Sequence, residues 1–457
     1  MATRPRLVVR ASRLSMYRRT APTYLRKHFP PVFWASVGNR TSPGEQDGKG
    51  PQRRWTPHWL IWVALLLGSI QARRFQDRFA QARRVVVAMR PGRRRPGRSY
   101  QGFMKALPRL RRPVRRRVVE HLQKQVSRSS GSFWTIEGWL AFAVDLTLLT
   151  LPRTRQNEAF FGHTGKARSA PRMSVTAVLH LGTGMLWDWM QGGATADGRR
   201  HLRALLRRLP PHSLIVADAG FVGYDVVREV RRAGHHLLVR AGSNVSLWTF
   251  EETDVERQGG RVYLWPKGRR DEPPAPMRLI WVCDQDEKGR PRRMALLTTV
   301  LDPADLSQRS AARLYRRRWG VEVCFRGYKR TLGQWKVQGR TPRVALTEVF
   351  WNLCGLMFVL LLMIEAQVAA HQDPWRGSLS AAWRAMEEAW QAVRCGRACT
   401  GLIKRLREAQ VDRYVRCGSK AARDTPRRKR ETPPGVPQVR KATLKEIAHA
   451  EELLAAA

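Results

Sequence analysis

Two aspartates interrupt stretches of sequence that would otherwise be wholly apolar. Asp145 lies inside the run WLAFAVDLTLLTL over Trp139 to Leu151, and Asp218 follows the short run SLIV that starts at Ser213. Burying a carboxylate is costly unless a metal ion or another cation pairs with it. Because α/β folds build their sites at strand ends, both residues are candidates for metal-dependent chemistry. Each alone could equally be a turn or helix-cap carboxylate, and Asp225 is the reserve if Asp218 is only a cap.

A third carboxylate lies on a predicted helix over 314–332, LYRRRWGVEVCFRGYKRTL. At about 100° per residue, one narrow stripe carries an aromatic hydroxyl, two cations and one carboxylate. These residues are Tyr315, Arg318, Glu322 and Lys329. The predicted buried face consists of Leu314, Val321, Phe325, Tyr328 and Leu332. The alternative is an ordinary amphipathic helix with one Arg–Glu pair at i,i+4, worth about a few tenths of a kcal/mol.

The elements that must position these residues alternate between strands and helices from Ser132 onward, which predicts an α/β domain. Strands are predicted at Trp139–Leu151, Met173–Leu181, Met185–Met190, Ser213–Val216 and His236–Arg240, and helices at His201–Leu209 and Tyr224–Arg232. Short β-type runs over 244–300 predict a small β-rich insertion. The chain over 301–370 is predicted to be helical, and it carries Glu322.

The charge of the chain predicts a polyanionic partner. The sequence has 84 Lys and Arg against 36 Asp and Glu, a formal net charge of +48. Nucleic acid is the first candidate and an anionic membrane surface the second. Between Arg73 and Val119 there are 17 Lys and Arg and one acid, Asp77. This stretch is either a solvated basic face or a helical DNA-binding module.

Other features bound the class of protein. The longest apolar run, Leu353 to Ile364, has 12 residues, fewer than the roughly 18–20 that span a membrane, so a buried core helix is expected there. The six cysteines include no CxxC pair, which fits a reducing cytosol.

We divide the chain into a disordered basic arm (1–54), a helical basic DNA-binding region (55–131), a catalytic core in two parts (132–243 and 301–370), the insertion (244–300) and a helical basic C-terminal region (371–457).

The spacing Tyr315-x2-Arg318-x3-Glu322-x6-Lys329 resembles the Y-R-E-K signature of bacterial DDE transposases of the insertion sequence 4 family. The segments 144–162 and 216–221 resemble the blocks around that family's two aspartates, and 296–319 resembles the approach to its glutamate. The resemblance covers about 139–340. The chain departs from the common pattern at Leu146, Arg153 and Ala219, where Gly, Asp and Arg are often found, and none of these departures removes a carboxylate.

The resemblance implies an RNase H-like fold in which three carboxylates hold two Mg²⁺ ions, with Mn²⁺ as a substitute. The implied metal ligands are Asp145, Asp218 and Glu322. Lys329 and Arg318 would grip phosphates, Tyr315 would contact a phosphate or pack under the strand, and Arg240 is a weaker phosphate-contact candidate. In hairpin-forming members a tryptophan stacks on a flipped base, and the candidates here, each of which could instead be core, are Trp248, Trp265 and Trp281.

The implied function is cut-and-paste transposition: the protein would bind the inverted-repeat ends of a mobile element and join them to target DNA. It would act as a homodimer in a synaptic complex, in the bacterial cytoplasm on the nucleoid and away from membranes. One alternative is a catalytically inactive DNA-binding remnant, against which the intact carboxylate set argues. A second is an RNase H-like nuclease without strand transfer, against which the basic flanks argue. A membrane-surface protein is disfavoured because no aromatic-rich amphipathic anchor lies beside the basic runs.

Overall fold

The computed structural model describes residues 26–38, 54–70, 72, 74–89, 95–165, 169–251, 254–285, 291–334, 336–397, 399–411 and 435–456. Within these residues one sheet runs through the centre of the molecule. Its strands are β1 (Ala141–Thr150), β2 (Arg172–His180), β3 (Leu186–Gly192), β4 (Leu214–Ala217), β5 (His236–Ala241), β6 (Ser246–Thr249), β7 (Gly260–Leu264), β8 (Ala275–Gln285), β9 (Pro291–Thr298) and β10 (Gln438–Lys441). The spatial order is β10-β6-β7-β8-β9-β5-β4-β1-β2-β3.

One half of the sheet places both candidate aspartates. Strands β1, β2 and β3 form an antiparallel meander, and β4 and β5 continue from β1 in parallel. Ala143 on β1 lies opposite Val216 on β4. Two residues further along each strand the chain reaches Asp145 and Asp218, so the parallel register brings the two carboxylates to the same level of adjacent strands.

The strands predicted between 244 and 300 extend this same sheet and do not form a separate one. Strand β9 pairs antiparallel with β5, with Leu238 opposite Thr298, and β8, β7 and β6 follow outward. The physical reason lies in β5, where Leu237, Leu238 and Val239 are all fully buried. A strand covered on both faces also needs its backbone groups paired at its free edge, and β9 supplies that pairing.

The helices surround the sheet and build a bundle beside it. They are α1 (Pro31–Gly38), α2 (Pro57–Ser69), α3 (Phe75–Met89), α4 (Tyr100–Ala106), α5 (Arg112–Ser129), α6 (Arg155–Phe161), α7 (Gly198–Leu206), α8 (Tyr224–Arg232), α9 (Val255–Gln258), α10 (Gln308–Arg317), α11 (Trp319–Arg326), α12 (Pro342–Val368), α13 (Leu379–Arg394), α14 (Leu402–Glu408) and α15 (Leu444–Ala455). Helix α10 packs on β4 and β5, and α11 packs on β1 and β2.

The prediction of one helix over 314–332 is wrong in its continuity. Helix α10 begins at Gln308, α11 follows a break at Arg318, and a π-helical turn covers Gly327–Thr331. A glycine lies near each break, and each allows a close neighbour. A Cβ on Gly320 would lie 2.3 Å from the Trp375 ring, and one on Gly327 would lie 2.6 Å from Leu379. The predicted buried face is confirmed, since all five of its apolar residues are at most 6% exposed.

The basic N-terminal helices share one hydrophobic core with the rest of the protein. Helix α2 crosses α12 so closely that a Cβ on Gly355 would lie 2.7 Å from the Gly68 Cα. Helix α12 is also packed by α5, α13 and α14. The region 55–131 is therefore helical as predicted, but its apolar faces belong to the common core and it is not a separate module.

The prediction of a disordered arm over 1–54 does not hold for α1, whose Phe33 and Val37 are buried in the core. Residues 1–25 and 39–53 lie outside the described residues. Within the described part of the chain, α12 alone is long and apolar enough to cross a membrane by length and composition, but 89% of its most apolar 18-residue window is buried inside the protein. It is the core helix expected around Leu353 to Ile364.

Candidate active site

Asp145 lies on β1 in a partly desolvated position next to other acids. Its Oδ1 accepts a hydrogen bond from the Leu146 N–H at 2.8 Å. The pKa of Asp145 is raised from 3.8 to about 6, mainly by burial and in part by the negative charges of Asp218 and Glu322, while the Leu146 hydrogen bond and Arg318 oppose the increase. The structure thus brings the three predicted carboxylates within electrostatic reach of one another.

Asp218 ends β4 and also caps the short 3-10 turn that follows it. Its Oδ1 accepts a hydrogen bond from the Gly220 N–H at 3.0 Å. The capping alternative is therefore correct as a description of the backbone contact. It does not exclude a role in the site, because the charge of Asp218 also acts on Asp145 and Tyr315. The reserve residue Asp225 lies on α8, half exposed, where its ion-pair partners are Arg203 at 4.0 Å and Arg269 at 3.7 Å.

Glu322, Arg318 and Tyr315 form one connected group at the junction of α10 and α11. The Arg318 Nη1 atom lies 2.9 Å from the Glu322 Oε1 atom, and the guanidinium carbon lies 5.5 Å from the centre of the Tyr315 ring. Burial raises the pKa of Tyr315. The Nε atom of Arg318 is buried and has no hydrogen-bond partner among the described residues, while 11% of the side chain remains exposed.

Lys329 and Arg240 approach the same region from two other elements. Burial lowers the pKa of Lys329, and the negative charge of Asp145 counteracts this, which places the ammonium within electrostatic reach of Asp145. The positive charge of Arg240, near the end of β5, lowers the pKa of Tyr315 and so opposes the effect of burial. Within the described part of the chain, the buried Nε atom of Arg240 also has no hydrogen-bond partner. Each of the seven residues selected from the sequence thus lies within electrostatic reach of at least one other of them.

Sequence reasoning missed two arginines near these groups. The charge of Arg172, the first residue of β2, acts on Lys329. Arg199 on α7 donates from Nε to the Gly220 carbonyl at 2.9 Å, beside the Asp218 cap. Neither belongs to a recognisable motif, since only the folded chain brings them to the site.

Two buried polar side chains fix the segment that follows Lys329. Asn157 donates from Nδ2 to the carbonyls of Pro152 at 3.1 Å and Gly339 at 3.0 Å. Glu348 on α12 accepts hydrogen bonds from the backbone N–H groups of Gln338 and Gly339, and burial raises its pKa to about 7. The loop after β1 and the start of α12 are thus held to one backbone segment, which restrains the π-helical turn that carries Lys329.

The residues present fit a hard divalent cation. Among the described residues, no group of three or more His, Cys, Asp and Glu side chains stands ready to hold a metal ion, and Glu322 is paired with Arg318. The available ligand atoms are nevertheless carboxylate oxygens, which Mg²⁺ prefers. Burial and, to a smaller extent, the charges of Asp218 and Glu322 raise the pKa of Asp145, and a bound cation would be stabilised by the same negative charges.

A first prediction concerns stability without metal. Because the pKa of Asp145 is higher in the folded state, at about 6, than its ordinary value of 3.8, the folded protein loses stability as pH rises through this window. Asp145→Asn removes that ionisation. We expect the variant to match wild type near pH 4 and to melt at a higher temperature than wild type above pH 6, measured in the presence of a chelator. A difference in melting temperature between variant and wild type that stays constant across this pH range would contradict the proposed desolvation and repulsion.

Three tryptophans were candidates for stacking on a base, and the structure separates them. Trp265 is 2% exposed and donates from Nε1 to the Glu272 carbonyl at 2.9 Å. Trp281 is 8% exposed and lies under the Arg293 guanidinium. Trp248 is partly exposed and lines a cavity of about 550 Å³ whose wall also includes Arg199. Trp265 lines the same cavity, and the Arg270 guanidinium lies 4.1 Å from the centres of both rings. Trp248 differs from the other two only in being partly exposed.

Residues 140–358 match the family of the transposase DDE domain. The match supports a DDE transposase. The matched transposase domain begins at the start of β1, ends within α12 and contains every candidate site residue described above. No curated protein matches the chain. Among solved structures, the cryo-EM structure of a piggyBac transposase synaptic complex with hairpin DNA is similar with a TM-score of 0.40 and 12% identity, over 89% of this chain and 88% of that one.

Proposed function

We propose that this protein is a cut-and-paste DNA transposase of the insertion sequence 4 type, which cleaves DNA at the inverted-repeat ends of a mobile element and joins those ends to target DNA. The observation that carries the proposal is that the charges of Asp218 and Glu322 act on the largely buried carboxyl group of Asp145 inside a matched transposase DDE domain. Neighbouring carboxylates that repel each other destabilise the fold unless cations compensate their charge. They are suited to holding cations.

In the proposed mechanism, Asp145, Asp218 and Glu322 hold two Mg²⁺ ions, with Mn²⁺ as a substitute. When bound, the ions supply activation of a water or 3′-hydroxyl nucleophile and stabilisation of the leaving oxygen. The side chains around them orient the DNA strand. Arg318 and Lys329 hold phosphate oxygens beside the bond to be broken, as charge-assisted hydrogen bonds from these cations are strong.

Arg240 and Tyr315 complete the proposed phosphate site. The side chains of Arg240 and Arg318 are partly exposed, and their guanidinium N–H groups would donate charge-assisted hydrogen bonds to phosphate oxygens. Tyr315 packs against Arg318 and limits where its guanidinium can lie. If the reaction passes through a DNA hairpin, we propose that Trp248, the partly exposed tryptophan of the three, stacks on an extruded base once the Arg270 guanidinium has left its ring.

The proposed partner is double-stranded DNA, both the element ends and the target. The net charge of +48 suits this polyanion, and many cations of the N-terminal helices face solvent, among them Arg84, Arg98, Lys105, Arg109 and Arg112. We further propose that two copies assemble with paired ends in a synaptic complex, on the nucleoid in the bacterial cytoplasm. Because the N-terminal helices share the common core, point substitutions on their exposed faces are the appropriate test of end binding.

The proposed function is tested with the DNA that flanks the gene, where inverted repeats bordered by short target duplications are expected. Purified protein is mixed with labelled end DNA and a target plasmid. We expect cleavage at the element boundary and joined products with Mg²⁺ or Mn²⁺, and binding without cleavage with Ca²⁺. Cleavage without joining would identify a nuclease instead, and specific binding without cleavage in Mg²⁺ or Mn²⁺ would identify an inactive remnant.

A further inference from the structure

A cleft of about 730 Å³ opens at the outer edge of the sheet, away from the strand that carries Asp145. We call it the edge cleft. It lies between the edge strand β3, the first turns of α5 and the first turns of α12. Its charged lining consists of four arginines and one carboxylate: Arg112, Arg115, Arg116, Arg208 and Asp188. The excess of positive charge indicates an anionic ligand.

Asp188 organises two of these arginines and does not close the cleft. Its side chain is 4% exposed, it is ion-paired with Arg116, and its Oδ1 lies 3.6 Å from the Arg208 Nη1. Arg116 also contacts Glu120 through Nε at 3.0 Å. Each guanidinium has five N–H donors in a fixed fork, so these contacts orient the forks and leave donors available. Arg116 and Arg208 remain partly exposed, at 28% and 23%.

Arg115 is held from the other side. Its Nε donates to the Leu110 carbonyl at 2.8 Å and its Nη2 to the Thr347 hydroxyl at 3.3 Å. The guanidinium lies 5.5 Å from the centre of the Phe350 ring. Phe350 in turn packs against Trp189, with ring centres 5.5 Å apart. Trp189 is 5% exposed, and Phe350 contacts both Trp189 and Arg115, so this wall offers little aromatic surface to a base.

The register of the sheet relates the edge cleft to the candidate active site. Asp145 lies opposite Ala177 on β2, and Ala177 lies opposite Trp189 on β3. Residues in register across neighbouring strands point to the same face, so Trp189 shares the face of Asp145, whereas Asp188 shares the opposite face with Val144 and the cleft spans the edge of the sheet. With strands about 4.8 Å apart, the cleft begins about 10 Å across the sheet from the strand of Asp145. A duplex whose axis lies across the strands, with a rise of about 3.4 Å per base pair, would cover that distance in about three nucleotide steps.

We propose that the edge cleft binds the backbone phosphates of the DNA about three nucleotides from the cleaved bond. The proposal rests on the proposed function, since it assumes that DNA lies over Asp145. Oriented arginine forks around a wall with little open aromatic surface suit phosphate oxygens and not base edges. The edge cleft therefore holds the position of the duplex without reading its sequence.

The test compares Arg112→Gln/Arg208→Gln with a control of equal charge change, Arg231→Gln/Arg232→Gln, whose exposed residues lie on α8. Binding of labelled end DNA is measured over a series of salt concentrations, together with ethylation interference at each phosphate. For the cleft variant we expect about 10-fold weaker binding at moderate salt and a salt slope reduced by about 2, one for each lost phosphate contact. Interference about three nucleotides from the cleavage point should disappear only in this variant.

Three results would overturn the proposal: a cleft variant with the wild-type salt slope, an unchanged interference pattern, or an equal effect of the control. Thermal melting of both variants separates these results from unfolding, and Arg112→Gln alone, at an exposed position, serves if the double variant is unstable. Inorganic phosphate is titrated in parallel, and tight phosphate binding with unchanged DNA binding would make the cleft a small-anion site. If wild-type protein binds no end DNA, the proposed function fails first, and that outcome is distinct from all three.

Discussion

Glu322→Gln is expected to lower strand cleavage by several orders of magnitude while leaving end binding nearly intact. Glutamine keeps the shape of the side chain and an oxygen that can accept from Arg318, but it removes the anionic ligand that a hard cation needs. The corresponding changes Asp145→Asn and Asp218→Asn should have effects of similar size. Because the three carboxylates act as one unit, combining the changes should cost little more than any one of them.

The measurement is cleavage of labelled end DNA in Mg²⁺, beside a gel-shift assay with the same DNA in Ca²⁺. Lys329→Ala provides a graded comparison, because it removes a phosphate contact and no metal ligand, at a cost of about 1–3 kcal/mol or roughly 5- to 150-fold. Wild-type cleavage by the Glu322→Gln protein would show that α10 and α11 are packed helices with an ordinary Arg–Glu pair. The proposed site would then have to be abandoned.

Gly355→Ala is expected to destabilise the folded protein by about 1–3 kcal/mol, which is the usual cost of overpacking. In an unconstrained helix the same change would stabilise the protein by up to about 1 kcal/mol. The sign of the change in the free energy of unfolding therefore distinguishes a close crossing from an open one. The added Cβ would lie 2.7 Å from both the Gly68 Cα and the Leu65 carbonyl oxygen. Since backbone atoms cannot rotate away, α2 and α12 would have to separate along their contact.

The matched control is Gly268→Ala, where the added Cβ would have nothing within 4 Å. Both variants are compared with wild type by denaturant unfolding, and the control should stay within about 0.5 kcal/mol of wild type. A Gly355→Ala protein as stable as wild type would contradict the close crossing of α2 and α12. It would also restore the possibility that residues 55–131 fold on their own.

Local patterns in the sequence were sufficient to predict the elements that carry the site. Strand β1 follows from its apolar run, α8 occurs at the predicted Tyr224–Arg232, and the buried face of the helices around Glu322 follows from their 3.6-residue period. Each of these signals is contained within about twenty residues. The approach of Asp145, Asp218 and Glu322 needed the family resemblance as well, because no local pattern specifies which strands become neighbours.

The features that were missed depend on contacts between distant parts of the chain. The pairing of β5 with β9 joins residues about 55 positions apart, so the insertion could not be seen to continue the sheet. The breaks around Arg318 depend on Trp375 and Leu379, which lie in later elements. The basic character of α5 was plain from its sequence, whereas its place beside β3, which creates the edge cleft, is a property of the folded chain alone.

The crossing of Gly68 and Gly355 also constrains the order in which the protein can fold during synthesis. Helix α2 is buried over Leu60 to Ser69, yet the helix that covers it is made about 290 residues later. At about 5–20 residues per second, the ribosome needs roughly 15 to 60 s to make that intervening chain. During that interval α2 can pack against its neighbours α1 and α3, but its Gly68 face lacks the helix that covers it. A nascent chain interrupted before α12 would therefore carry the complete basic N-terminal region in an unfinished state, so DNA binding by a truncated product would be expected to come with aggregation.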